Sequence, residues 1–188
     1  GVSNFLFGGL RQINHYVLTG SLDTYLLQPK NIILSIATSK CDFSAFGDFL
    51  YGAVVGWIAC GDLKMYLQFW LYVVFGTIVT CAVFIRIRIL SIWIGEVEQI
   101  AHIYENSMFI TFSTYPYEIF GGFTKALMFS LVPAAYVSHL PLKLISNFNI
   151  KWFLLLIIAT IFIAILAIVV FYASLKKYES GNNIAMKE

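Results

Sequence analysis

The chain has 188 residues, of which 60% are hydrophobic, 17% aromatic and 12% charged, with a formal net charge of +2. Soluble domains average roughly 45–50% apolar and about 25% charged residues, and a folded sphere of this size keeps most of its residues near water. The composition, with a mean hydropathy of +0.81, points to a membrane protein and excludes an ordinary soluble enzyme, a disordered chain and a DNA-binding domain.

Residue 1 is Gly rather than Met, and the first residues form neither a signal peptide nor a clean span. The chain is therefore read as truncated at its N-terminus. Residues 10–30 are amphipathic rather than apolar. Gly20 permits a sharp turn, Ser21 suits an N-cap, and Asp23 falls in the first turn, where a carboxylate favours the positive helix end. Leu22, Tyr25 and Leu26 then share one face at i, i+3, i+4, and Pro29 stops the helix. This predicts a short capped helix between membrane segments, serving either as a plain interfacial connector or as a docking element.

Membrane helices are expected over 43–60, 66–85, 89–112 and 152–175. The run 152–175 carries no charge and is bounded by Lys151 and by Lys176–Lys177. The run 66–85 starts with an aromatic cluster and ends at Arg86 and Arg88, which are expected to snorkel at the interface or to meet acidic groups of a partner. In 43–60, Gly47, Gly52 and Gly56 recur at near-helical spacing, which favours close helix approach. Asp48 in its first turns reads as a helix-end carboxylate, with a substrate contact as the alternative. The stretch 89–112 is long enough to span, but Glu96, Glu98, His102 and Glu105 must face protein, water or the interface. Between 113 and 150, Pro116, Pro133, Pro141 and Gly121–Gly122 break the pattern, and a re-entrant helical hairpin over 117–140 is expected.

Placing the N-terminal stretch in the cytoplasm and alternating puts Arg11, Lys30, Lys40, Arg86, Arg88, Lys176, Lys177 and Lys187 inside, and Lys64, Lys125, Lys143 and Lys151 outside. Eight against four favours this orientation, with the 176–188 tail in the cytoplasm.

Glu98, His102 and Glu105 lie at i, i+4, i+7 on one helix face. Such a row suits metal binding or proton relay, or else a wet, self-paired face beside a cavity. Metal sites in bundles usually need a second helix, and His15 and His139 are expected on opposite sides. Cys41, Cys60 and Cys81 have no CxxC spacing, so neither a disulfide framework nor a zinc site is expected. The sequence contains no HExxH, GxSxG or GxxxxGK[ST] run, so ATP hydrolysis is expected from elsewhere.

The run Gly20-Ser21-Leu22-Asp23-Thr24-Tyr25-Leu26-Leu27-Gln28-Pro29 resembles the G-x-L-D-x-x-L-x-x-P signature of bacterial ABC-2 family transporter permeases, of the type-2 exporter class. Phe112 to Phe120, with Tyr115-Pro116, is similar to that family's f-x-x-Y-P-x-x-i-y stretch. Leu131 to Tyr136, followed by Pro141, is similar to its i-P-a-x-y…P stretch. Lys177 to Asn182 is similar to its polar tail. The four matches keep the family's order across most of residues 10–182.

The resemblance implies about six transmembrane helices, of which this chain supplies about four. It implies no catalytic residue and no cofactor of the chain's own, ATP being bound by a separate subunit. Two permease copies, or a permease and a paralogue, would form the pathway in the cytoplasmic membrane. A cytoplasmic coupling helix of this chain, docking on the ATP-binding subunit, would comprise Gly20, Ser21, Leu22, Asp23, Tyr25, Leu26, Gln28 and Pro29. Gln28 departs from the family, where a basic residue is commoner before the Pro.

The sequence is thus read as an all-α polytopic bundle with a cytoplasmic coupling helix and a re-entrant hairpin before the last span. Its function is read as the permease of an ABC exporter of unidentified substrate. The rivals are a small membrane enzyme or metal-dependent protein using Glu98, His102 and Glu105, and a structural subunit that moves nothing.

Overall fold

A computed structural model describes residues 1–178, the side chains of Ser107 and Met108 excepted. The tail from residue 179 onward, with most of the polar run 177–182, lies outside the described residues. All regular elements among the described residues are helical. The N-terminal part is a chain of short pieces: α1 (Val2–Phe7), a 3-10 turn (Gly8–Gln12), α2 (Ile13–Leu18), α3 (Leu22–Leu26) and α4 (Ile32–Ala37). Then come α5 (Ser44–Cys60) and α6 (Leu63–Arg88). Two short helices follow, α7 (Ser91–Ile94) and α8 (Glu98–His102), and α8 runs into a π-helix (Ile103–Ile110) and α9 (Thr111–Thr114). The chain closes with α10 (Gly122–Phe129), a 3-10 turn (Pro133–Tyr136), α11 (His139–Ser146) and α12 (Ile150–Leu175).

The core of the bundle is the pair α6 and α12. On α12 the buried residues are Leu156, Thr160, Ile163, Ala167, Phe171 and Ser174, a strict three-and-four stripe. On α6 the stripe Tyr72, Gly76, Val79, Val83 answers it. Two such stripes let helices interlock side by side. The pair is parallel. Tyr72 and Phe75 meet Phe153 at ring distances of 6.4 Å, while at the other end the Trp93 indole donates to the Ser174 hydroxyl at 3.0 Å. The remaining faces of α12 expose Ile158, Ile161, Phe162, Ile165 and Val169. That is the surface a helix presents to hydrocarbon, where apolar side chains lose nothing by exposure.

Two segments are long and apolar enough to cross a membrane, Leu63–Ile94 and Ile150–Leu175. The run 152–175 falls inside the second, and 66–85 inside the first. α5 has 17 residues and, at 1.5 Å per residue, is about 25 Å long, short of a ~30 Å hydrocarbon core. Of its three glycines, Gly56 alone meets a neighbour, with Phe69 against its α-carbon; Gly47 and Gly52 face open space.

The segment 89–112, read as one membrane helix, is broken. The chain turns at Gly95, whose φ of 77° and ψ of −128° are open to glycine and strained for other residues. The acidic residues beyond it therefore fold back instead of running on. Between 113 and 150, α10 and the helical stretch Pro133–Ser146 form a pair bent by 66°. Pro133 sits at the first position of the second arm, where its missing N–H costs nothing. The bent pair extends past residue 140 through α11.

Candidate functional site

The coupling segment is smaller than its sequence suggests. α3 covers only Leu22–Leu26. Gly20 turns the chain with φ of 71°. Ser21 does not cap: its backbone is already helical, and its hydroxyl bonds Thr19 Oγ1 at 2.8 Å instead of an α3 amide. A capping side chain does start the next helix, where Asn31 accepts from the Leu34 N–H at 3.2 Å.

Leu22, Tyr25 and Leu26 do not form one presented face. Leu22 is fully buried in the main core, and Tyr25 packs on the same core and on Tyr16, ring centroids 5.2 Å apart. Leu26 is 38% exposed and Leu27 85% exposed, and Gln28 and Pro29 beyond them are exposed. The segment is thus a rooted peg: Leu22 is the root, and Leu26 to Pro29 are the tip. Leu27 is absent from the expected set because it lies off the i, i+3, i+4 face of Leu22, Tyr25 and Leu26, although a leucine just past that face and ahead of Gln-Pro is itself a signal.

Asp23 approaches the end of the last span. Tyr178 lies just beyond α12, and its phenol is pushed up to about 12, by burial first and then by the charge of Asp23. The coupling segment in this way reaches the chain just past the last span.

Behind the segment lies a buried ion network. Arg88, at the end of α6, donates from Nε to Glu105 Oε1 at 2.9 Å and from Nη2 to Glu105 Oε2 at 3.1 Å. This two-pronged geometry is the strongest an arginine makes with a carboxylate. Its Nη1 donates to Glu98 Oε2 at 2.6 Å. Arg11 reaches Glu105 Oε2 at 3.3 Å and lies over the Phe84 ring at 5.2 Å. The Asn14 amide donates to Glu98 Oε2 at 3.3 Å. Side-chain exposures of 5% for Arg88 and 1% for Glu105 place their pair in the interior. Two guanidinium groups face two carboxylates, so the network is neutral, as burial requires.

Arg88 therefore does not snorkel; it is held inside by the acids that the Gly95 turn returns to it. Arg86 is half-buried. Burial alone would raise the Glu98 carboxyl. The hydrogen bond and charge of Arg88, with the Asn14 amide and the Arg11 charge, outweigh it and hold the group below its ordinary value.

The row Glu98, His102, Glu105 is split by this arrangement. Both carboxylates turn to Arg88, whereas His102 is exposed. Among the described residues no group of three or more His, Cys, Asp or Glu side chains is placed to hold a metal. His102 instead lines, with Arg11, Lys40, Asp42 and Glu98, a polar cleft of about 480 Å³ beside the network. Asp48 is exposed on α5 and borders a cavity of about 240 Å³ between α1, α5 and α6.

The comparison of the chain with known families decides what kind of molecule this geometry serves. Residues 1–182 match the family described as ABC-2 family transporter protein. The chain belongs to the ABC-2 transporter family. It is a membrane permease of the ABC transporter class, and family members normally work with a separate ATP-binding subunit. The ABC-2 permease is a transport subunit and not itself the catalyst. No curated protein and no solved structure matches the chain.

Proposed function

We propose that this ABC-2 permease is the membrane half of an exporter in the cytoplasmic membrane, driven by an ATP-binding subunit that grips the tip Leu26–Pro29. The observation that carries the reading is the contrast between Leu22, fully buried, and Leu27, 85% exposed, within one short turn. A large apolar side chain held rigidly in water on a well-rooted peg is the form of a docking knob. The root explains how force would pass on. Leu22 and Tyr25 join the core around α6 and α12, and the neighbouring α2 carries Asn14 into the Arg88 network. Closure of the ATP-binding subunits would move the peg, and the peg would move the ends of both long helices together.

The end of the bundle that holds the peg also holds Arg11, Lys30, Lys40, Arg86, Arg88, Lys176 and Lys177, which supports a cytoplasmic placement for it. A second copy or a paralogue would complete the pathway. The substrate is not named by any residue.

The test is co-purification of the full-length permease with its ATP-binding subunit in detergent. Leu27→Arg loses the subunit while the permease keeps its melting temperature. Leu22→Ala behaves in the opposite way, destabilising the fold by about 2–5 kcal/mol through the cavity it leaves. If Leu27→Arg retains the subunit in full, the tip is not the dock.

A further inference from the structure

At the end of the bundle opposite the peg lies a cavity of about 730 Å³, bounded by the 113–118 stretch, both arms of the hairpin and the start of α12. Phe153 and Ser174 mark the two ends of α12, and 21 residues at 1.5 Å put them about 32 Å apart; Trp152 lines the cavity beside the first of them. The site is therefore separate from the ion network and from the proposed dock.

Its volume is in the range of small-ligand sites. Its walls are mixed in a particular way. Lys125 lies over the Tyr117 ring at 4.5 Å, and Lys143 over the Trp152 ring at 3.9 Å. Among the described residues neither lysine has a carboxylate within ion-pair distance. An ammonium has three donors, and an aromatic face satisfies one direction only. Ser138 also lines the cavity, and its Oγ is buried without a hydrogen-bond partner among the described residues. A buried hydroxyl left unpaired costs about 1–3 kcal/mol and is a place where a ligand oxygen repays the fold. His139 uses Nε2 on the Phe112 carbonyl at 3.0 Å, which leaves Nδ1 for a second partner. One carboxylate, Glu118, borders the same space, so the two ammonium groups leave the cavity with a positive excess.

We propose that this cavity binds the phosphate headgroup of an amphiphile, with Lys125 and Lys143 on the phosphate, Ser138 donating to one of its oxygens, and the apolar body lying against Tyr117 and Trp152. Phosphate fits because it offers several acceptor oxygens to donors approaching from both hairpin arms. An apolar body fits because the rings that now hold the ammonium groups are released to cover it when the lysines swing to the headgroup. The inference stands apart from the coupling reading and does not need an ATP-binding subunit.

The experiment uses the full-length permease in neutral detergent with every Trp except Trp152 changed to Phe, Trp57, Trp70 and Trp93 among them, so that emission reports Trp152 alone. Dihexanoyl phosphatidic acid is expected to change that emission saturably, and Lys125→Gln and Lys143→Gln each to weaken binding by roughly tenfold or more, as for loss of a charge-assisted hydrogen bond. Dihexanoyl phosphatidylcholine, of the same apolar body, is expected to bind at least roughly tenfold more weakly. Retention of one equivalent of the phosphatidic acid by the unmodified permease in native mass spectrometry checks the same point without the Trp substitutions. Equal response to the choline lipid, or full binding by both lysine variants, overturns the site. Inorganic phosphate binding as tightly as the amphiphile overturns the amphiphile and leaves a free-anion site.

Discussion

At the residue scale the fold turns on Arg88. Its guanidinium is inside only because Glu105, 1% exposed, meets it with both oxygens. Removing one member strands the other, and a stranded buried charge costs about 3–5 kcal/mol. Arg88→Met is expected to lower the melting temperature in detergent sharply, and the further change Glu105→Leu to restore a good part of the loss; a double variant no better than the single would show that Glu105 is not the main partner of Arg88. Glu98 carries a milder, pH-dependent share. Its carboxyl is depressed in the folded state against about 4.3 unfolded, so its stabilisation is complete above that value and disappears as pH falls through the folded one. Between pH 5 and pH 3 the unmodified protein should lose more melting temperature than Glu98→Gln, and parallel curves would remove Glu98 from the network. The sequence showed that Glu98 and Glu105 share a face, because helical spacing reports neighbours within one element. It did not show their partner. Helical spacing is silent on contacts made through a turn, and Arg88 at the end of an apolar run reads as an interfacial charge.

At the scale of elements, the Gly95 turn is what makes that contact possible. In an unbroken helix Arg88 and Glu105 would sit 17 residues apart, about 26 Å along the axis; they are in direct contact across the turn. Composition and length alone suggested a fourth spanning helix over 89–112. The conformation of one glycine inside it decided otherwise, and an isolated Gly in a helical pattern carries little warning. Gly95→Ala keeps open space around its added carbon but forces a backbone that L residues avoid. The expected cost is about 1–3 kcal/mol, read as a lower melting temperature, together with a smaller Arg88–Glu105 coupling in a double-mutant cycle. Unchanged values would mean that the turn accepts any residue. The long helices were the more legible elements: uncharged apolar runs of this length have few alternatives to a span. α3 was less so. Its Ser–Leu–Asp start satisfies the composition of a cap, while Ser21 is used elsewhere, by Thr19.

At the scale of the whole molecule, the bundle has two unlike ends joined by α6 and α12. One end carries the peg, the ion network and the polar cleft; the other carries the bent hairpin and the lysine-lined cavity. Membership of the ABC-2 family says that this is a transport subunit; the arrangement of the two ends suggests which one receives the force. The central claim is that the ATP-binding subunit grips the Leu26–Pro29 tip. Cysteine cross-linking tests it most directly: Leu27→Cys in the full-length permease with its native cysteines, the exposed Cys41 among them, changed to Ser, assembled with the ATP-binding subunit, treated with a short thiol–amine cross-linker, and compared with Lys143→Cys at the far end in the same background. The account predicts a permease–ATPase cross-link from position 27 and none from position 143. An ATP-hydrolysing complex that gives no cross-link at 27, or one at 143, would contradict it.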